Sequence, residues 1–249
     1  MKTDYIDLFQ FHQVTRVPDP DDPDGAMAGA LEAKRRGWIG HIGVTSHRIN
    51  VAEACIASGR FETMQFPFSY ISSKRDLALA ERCEKADMGY IAMKGLAGGL
   101  LGTNTRACHA FMNEYPNVVP IWGIQSMSEL DNWIALADED PVLDDNLRAA
   151  IDADRRELTG SFCRSCGYCM PCTVGIEIRQ CARMNMLLRR SPWQQYMTEE
   201  WREKMNKIND CIECGKCSVR CPYQLDTPKL LTYMLKDYNE FYEAHKDLL

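Results

Sequence analysis

Nine of the twelve cysteines in this 249-residue chain fall between Cys163 and Cys221. Eight of the nine form two runs, Cys163-x2-Cys166-x2-Cys169-x2-Cys172 and Cys211-x2-Cys214-x2-Cys217-x3-Cys221-Pro222. Three cysteines in two-residue steps wrap a tight loop round three irons of a cubane. A fourth, standing before proline, turns outward and ligates the other cluster. The second run has that spacing in full; the first is one residue shorter before its fourth cysteine, and Thr173 stands where the proline would be. The expected pairing is crossed. Cys163, Cys166, Cys169 and Cys221 hold one 4Fe–4S cluster, and Cys211, Cys214, Cys217 and Cys172 hold the other. Cys181 is the alternative if the shortened run does not present Cys172. Two four-cysteine zinc sites are the competing reading. They commonly use two CxxC pairs, whereas strict two-residue steps before Cys-Pro point to iron and sulfide.

The elements that position these residues fall into two parts. The composition, 45% hydrophobic and 26% charged with a net charge of −6, is that of a folded domain and excludes disorder. The acidic balance argues against a nucleic-acid partner, and no apolar run reaches the ~18–20 residues of a membrane span. The segment MKTDYIDLFQF lacks the basic-then-apolar layout of a secretion signal, so a cytoplasmic location is expected and a disulfide framework is not. Before residue 139, apolar runs at 6–11, 39–44, 64–68, 90–93 and 118–122 alternate with amphipathic stretches at 26–36, 51–58, 75–85, 106–114 and 126–136. That spacing is the one of parallel strands joined by crossover helices. Pattern alone does not separate a doubly wound sheet from a (β/α)8 barrel. Ser126 or Ser128 caps the fifth helix. Residues 139–158 read as a charged helical connector. In the tail, 178–190 and 193–208 carry helical periodicity, and a last helix is capped by Thr227 with Pro228 in its first turn. The expected domains are 1–138, 139–158 and 159–249. Cys55, Cys83 and Cys108 lie on predicted helices as small packing residues.

The segments KTDYIDLFQFHQV, IGHIGVTSHR, MQFPFSYI, GYIAMKGLAGGLLG and VVPIWGIQSMSEL resemble, in order, strands four to eight of the aldo/keto reductase barrel. With the cysteine tail, the whole chain is similar to aldo/keto reductases that carry a C-terminal 4Fe–4S dicluster domain. The fold class so implied is α/β: a partial (β/α)8 TIM barrel, strands 4–8, followed by a small, mainly α-helical dicluster ferredoxin-like domain. The resemblance implies hydride transfer between NAD(P) and a carbonyl substrate at the carboxyl ends of the strands. It gives His12 the role of orienting the carbonyl, and Thr45, Ser46 and Gln65 that of holding the nicotinamide carboxamide. Gly98, Gly99, Gly123 and Ser126 fall in the loops that cradle the cofactor phosphates. Met93 stands where many members stack a tyrosine on the nicotinamide. Glu129 and Trp133 fall where others place arginine and asparagine at the adenosine end, and a carboxylate there disfavours a 2′-phosphate.

The family's catalytic Tyr, Lys and Asp sit on strands two and three, whereas this sequence starts at strand four. The expectation is that Met1 is an internal methionine of a longer product, with the missing barrel half supplied by another chain, or a degenerate remnant of the barrel, as the alternatives. The expected activity is that of an iron–sulfur oxidoreductase of aldo/keto reductase type acting on a small-molecule substrate, with this chain alone inactive on carbonyls. A non-catalytic electron carrier is the alternative. Either form would exchange electrons with a redox partner such as a ferredoxin or a flavoprotein.

Overall fold

Each of the five apolar runs becomes a strand, because each is short, rich in β-branched and aromatic residues, and bounded by loop residues. The computed structural model describes residues 3–124, 126–158 and 162–248. Met1 and the expected domain start at residue 159 lie outside these residues. Strands β1 (Ile6–Phe11), β2 (Ile39–Thr45), β3 (Thr63–Pro67), β4 (Gly89–Met93) and β5 (Val118–Pro120) form one parallel sheet in the order β1-β2-β3-β4-β5. Helices α1 (Ala26–Arg35), α2 (Ile49–Ala57), α3 (Lys74–Lys85) and α4 (Thr105–Met112) connect them. The register aligns the strand ends, with Phe11 opposite Val44, Thr45 opposite Gln65 and Pro67 opposite Met93. Residues that follow the strands at 12, 46 and 94 therefore emerge along one edge of the sheet. Among the described residues β1 pairs only with β2 and β5 only with β4. Sequential strand order in a parallel sheet is the barrel pattern; a doubly wound sheet reverses at a switch point.

Local chemistry fixes the helix ends. Ser73 and Asp76 form a reciprocal capping box at α3. Of the two candidate caps for α5 (Met127–Glu139), Ser126 serves, its Oγ accepting from the Glu129 amide at 3.2 Å. Val44, Met64, Phe66, Phe68, Tyr90 and Leu79 are fully buried between sheet and helices. Cys55, Cys83 and Cys108 are buried on α2, α3 and α4. Burial pushes the first two thiols up to about 11 and about 12, which makes them inert packing groups.

The chain divides into two compact units, Met1–Gly95 with Arg106–Ala149, and Leu96–Thr105 with Ala150–Leu249. The glycine-rich segment after β4 thus folds with the cysteine-bearing part. That second unit contains no strand among its described residues. Its helices are α6 (Asp145–Glu157), which begins in the first unit, then α7 (Ile178–Cys181), α8 (Met184–Arg190), α9 (Glu199–Asn206), α10 (Lys216–Arg220) and α11 (Thr227–His245). The stripe of Leu231, Met234, Leu235 and Tyr238 on α11 is buried against Ile176, Met184, Leu187 and Met205. The structure differs from the sequence expectation in several places. Residues 140–144 of the expected helical connector are not helical, and the stretch 193–208 is a 3-10 turn, Trp193–Tyr196, and then α9, which Thr198 caps. The stretch 178–190 is two helices, broken at Arg183, whose extended φ of −139° interrupts the spiral. The cap of α11 is Asp226, which accepts from the Lys229 amide, while Thr227 is buried and donates to the Leu225 carbonyl.

Candidate metal centres and the strand-end residues

The two cysteine runs fold into the same turn. In each, the residue before the second cysteine is left-handed (Ser165 at φ 54°, Glu213 at φ 49°), and so is the glycine after it (Gly167 at φ 87°, Gly215 at φ 68°). Left-handed backbone is costly for Ser and Glu and persists only where the surroundings fix it. Alternation of this kind turns successive N–H groups toward one point, a shape suited to an anionic group. The Ser165 amide approaches Cys163 Sγ at 3.4 Å.

Two apolar cavities collect the eight thiols. One is lined by Cys163, Cys166, Cys169 and Cys221 with Arg164, Ile178, Tyr223 and Leu230; we call it the Cys163 site. The other, the Cys214 site, is lined by Cys172, Cys211, Cys214 and Cys217 with Ile176, Pro228 and Leu231; Cys169 touches both cavities. The shortened first run does present Cys172. Cys181 instead faces the Lys204 carbonyl at 3.7 Å in the core and lines neither cavity. Among the described residues, no three His, Cys, Asp or Glu side chains converge on a point that holds a single metal ion.

Electrostatics separates the two sites. Cys163 is buried, and burial pushes its thiol up; burial and the neighbouring thiols push Cys169 up to about 12. Cys214 is exposed, and the Lys216 amide, with the Thr173 hydroxyl 3.9 Å away, holds its thiol below the usual range.

In the first unit, His12 follows β1 and is exposed, Thr45 ends β2, Ser46 and His47 follow it, and Gln65 lies in β3. Register brings these together. Their hydrogen bonds are largely internal: Thr45 Oγ1 accepts from the Gln13 amide at 2.8 Å, and Ser46 Oγ donates to the Val14 carbonyl and accepts from the Arg48 amide, both at 3.1 Å. Gln65 accepts from Gln10 Nε2 at 3.1 Å and sets its own amide 3.7 Å from Met93 Sδ. His47 is buried, and burial, with the charges of Lys94 and His12, lowers it to about 4. Gly98 and Gly99 belong to the second unit, and Gly123 is exposed after β5. Ser126 is occupied as a helix cap. Trp133 is buried and stacks on Trp122 with centroids 4.2 Å apart, while Glu129 is exposed.

Residues 1–117 match the aldo/keto reductase family, and residues 162–226 match the 4Fe–4S dicluster domain. The chain is a partial aldo/keto reductase domain followed by a dicluster domain. Solved structures that resemble it include the apo and holo forms of aldo-keto reductase AKR11C1 from Bacillus halodurans. Each is 20% identical with a TM-score of 0.49; the match covers 61% of this chain and 63% and 60% of theirs. The thermostable aldo-keto reductase Tm1743, in complex with epalrestat, is 21% identical with a TM-score of 0.46, over 61% of each chain. The chain therefore spans less than two thirds of the length of these structures. No curated protein matches it.

The dicluster domain contains features that the cysteine spacing does not announce. Glycine directly after the second cysteine of both runs, Gly167 and Gly215, is a signal the sequence carries. Arg183 and Arg190 are not flagged by any motif. Arg190 donates to the Leu100 carbonyl at 2.8 Å, to Asp154 at 3.0 Å and to Glu157 at 2.7 Å. Asn104 completes this network by donating to Asp154 at 2.6 Å. The glycine-rich segment that follows β4 of the aldo/keto reductase domain is thus held by side chains of the dicluster domain.

Proposed function

We propose that this chain is the iron–sulfur part of an aldo/keto reductase-type oxidoreductase, holding one 4Fe–4S cluster at Cys163, Cys166, Cys169 and Cys221 and a second at Cys172, Cys211, Cys214 and Cys217. The observation that carries the reading is the sorting of eight thiols, by crossed pairing, into two cavities that share, of these thiols, only Cys169 and whose other walls are largely apolar, with one basic side chain in each, Arg164 and Lys216. Thiolate donors, inward-turned amides and a dry wall are what such clusters require. When bound, these groups supply one-electron transfer. The protein's own part is to hold four thiolates at each site, to donate amide hydrogen bonds at Cys163 and Cys214, and to limit water. On this reading the domains are 1–138 for the barrel part, 139–158 for the connector and 159–249 for the clusters, and the location is cytoplasmic.

The nicotinamide half of the reading rests on His12, Thr45 and Gln65 at the strand ends, with Gly98, Gly99, Gly123 and Ser126 as the phosphate-loop residues. Ser46 does not fit a carboxamide partner, because its hydroxyl is fully buried and engaged on both sides. Nicotinamide also delivers two electrons as a hydride, whereas a cubane takes one, and no two-to-one switch is evident in the sequence. The occupied Ser46 hydroxyl favours the second reading, an electron-transfer subunit serving a ferredoxin or flavoprotein without carbonyl chemistry of its own.

Iron and acid-labile sulfide analysis, with visible absorption of anaerobically purified protein, tests the cluster assignment. About eight irons per chain, as two cubanes hold, and a broad visible band bleached by dithionite are expected. A colourless, zinc-replete protein overturns it. NADH- or NADPH-dependent carbonyl turnover separates the two functional readings.

A further inference from the structure

Arg183 is 3% exposed. A guanidinium cannot shed its proton, so a buried arginine needs an anionic or hydrogen-bonding partner for each face of its fork. Arg183 has one such partner: its Nη2 donates to the Gly98 carbonyl at 2.5 Å. Its Nε has none, and among the described residues no carboxylate pairs with it. The groups whose charge bears on it are the Cys163 thiol and the Tyr196 hydroxyl. It also stands at the N-terminal cap of α8, the helix end that disfavours a cation. Arg190, at the other end of the same helix, is balanced by Asp154 and Glu157. One arginine of the pair therefore has its counter-ions in protein carboxylates, and the other does not.

Gly98 is built to seat the unbalanced one. It is left-handed at φ 71°, and a Cβ there would fall 2.7 Å from Arg183 Nη1. A side chain at this position would have to push the guanidinium aside, on top of the strain of its left-handed backbone.

We propose that Arg183 is the counter-charge of the cluster held at the Cys163 site and that it raises that cluster's reduction potential. A cubane with four thiolates is negative in both redox states and gains a further negative charge when one electron enters. Arg183 lies buried directly after Ala182, which lines the cavity, while the lining cation Arg164 is only half-buried, over the Phe162 and Tyr223 rings. A fixed cation in such low-dielectric surroundings stabilises the reduced state more than the oxidised state. The Cys214 site has an exposed thiol and a water-facing rim, so the effect is confined to one cluster.

The inference rests on the cluster reading given above, and the two fail differently. The experiment is a redox titration of the full chain, reconstituted anaerobically and followed by electron paramagnetic resonance, with iron counted in each sample. Cys214→Ser identifies the wave of the other cluster. In Arg183→Gln, the Cys163-site wave is expected to fall by a tenfold or larger change in its reduction equilibrium, which for one electron is about 59 mV. Arg183→Lys, which keeps the charge, returns most of that shift. Full iron with neither wave moved, or with the Cys214-site wave moved instead, overturns the role of Arg183 while leaving the clusters standing. Wild-type protein without iron overturns the cluster reading itself. If Arg183→Gln takes up no iron, Gly98→Ala displaces the guanidinium without removing it. It must lower the same wave; an unmoved wave overturns the proposal.

Discussion

At the Cys163 site a buried thiol stands near a guanidinium that has no carboxylate. At the Cys214 site the Cys214 thiol, the second of its run, is exposed, its amide donor comes from Lys216, and Ile212 on the rim faces solvent; Cys211, which holds the place of Cys163 in this run, is half-buried. The turns that present the thiols are the same in both runs, down to the left-handed residue on either side of the second cysteine. A repeated turn therefore fixes which atoms bind, and the surroundings fix how each site behaves. Burial ties the Cys163 thiol to the core; on the proposed cluster reading, the exposed Cys214 thiol marks the second site as the point of electron exchange.

Removing one thiol from each site breaks this comparison most severely. Cys163→Ala and Cys214→Ala are each expected to lose about half the iron, four of the eight that two cubanes hold. Their costs in stability differ. Without its cluster the Cys163 site leaves Arg183 buried and uncompensated, so Cys163→Ala is expected to lower the unfolding free energy by ~3–5 kcal/mol more than Cys214→Ala. Denaturant titration of the two iron-depleted variants reads this directly, and equal midpoints would sink the asymmetry.

The paired arginine sharpens the same contrast. Arg190→Met takes the Arg190 guanidinium from Asp154, which is 5% exposed and also accepts from Asn104. Breaking a buried pair in this way is expected to cost ~3–5 kcal/mol. Both cluster potentials should move far less than in Arg183→Gln, because the charges that bear on Arg190 are those of Asp154 and Glu157, with no cysteine among them. A potential that moves as far in Arg190→Met would show that net charge of the unit, rather than placement of one guanidinium, is what the clusters sense.

The positions of the strands and the two cysteine runs were legible in the sequence because each follows from a local rule: apolar runs bounded by loops, and thiols at fixed steps. Cys172 was legible as a candidate beside Cys181; only the fold separates a thiol that lines a cavity from one that faces the Lys204 carbonyl. Ser46 illustrates the opposite case. The resemblance makes it a carboxamide partner, yet the Val14 carbonyl and the Arg48 amide already occupy the hydroxyl. Those partners are set by a loop that no spacing rule describes. Arg183 was invisible for a related reason: an arginine in a helical stretch is ordinarily solvated. Its burial depends on Gly98, 85 residues away in the chain.

His47 offers a second buried cation-former for comparison with Arg183, and here the chemistry has an escape. Imidazole can lose its proton, and burial with the Lys94 and His12 charges lowers it to about 4 from 6.5. Between those two values the unfolded chain binds more protons than the folded one. Stability is therefore expected to fall as pH drops from 6.5 to 4, by about 3 kcal/mol for this group. His47→Gln removes that part of the slope. Chemical denaturation of both proteins at pH 7 and pH 4.5 checks it, and parallel losses in the two would exclude His47 as the cause.

The smallest effect is expected at Cys181, the ninth cysteine of the dense region. It is fully buried between Met184 and the α11 stripe, and burial, ahead of the Glu177 charge, pushes its thiol up to about 12. A thiol so placed is a small apolar group rather than a metal donor. Cys181→Ser should leave the iron count and both potentials unchanged and cost ~1–3 kcal/mol through a buried hydroxyl. The Lys204 carbonyl, 3.7 Å from Sγ, is placed to accept from that hydroxyl and hold the cost near the lower end. Cys172→Ser, by contrast, should empty the Cys214 site. If instead Cys181→Ser halves the iron and Cys172→Ser keeps it, the crossed sorting of thiols into two cavities is wrong at its one contested position, and the Cys214 site must be rebuilt around the core.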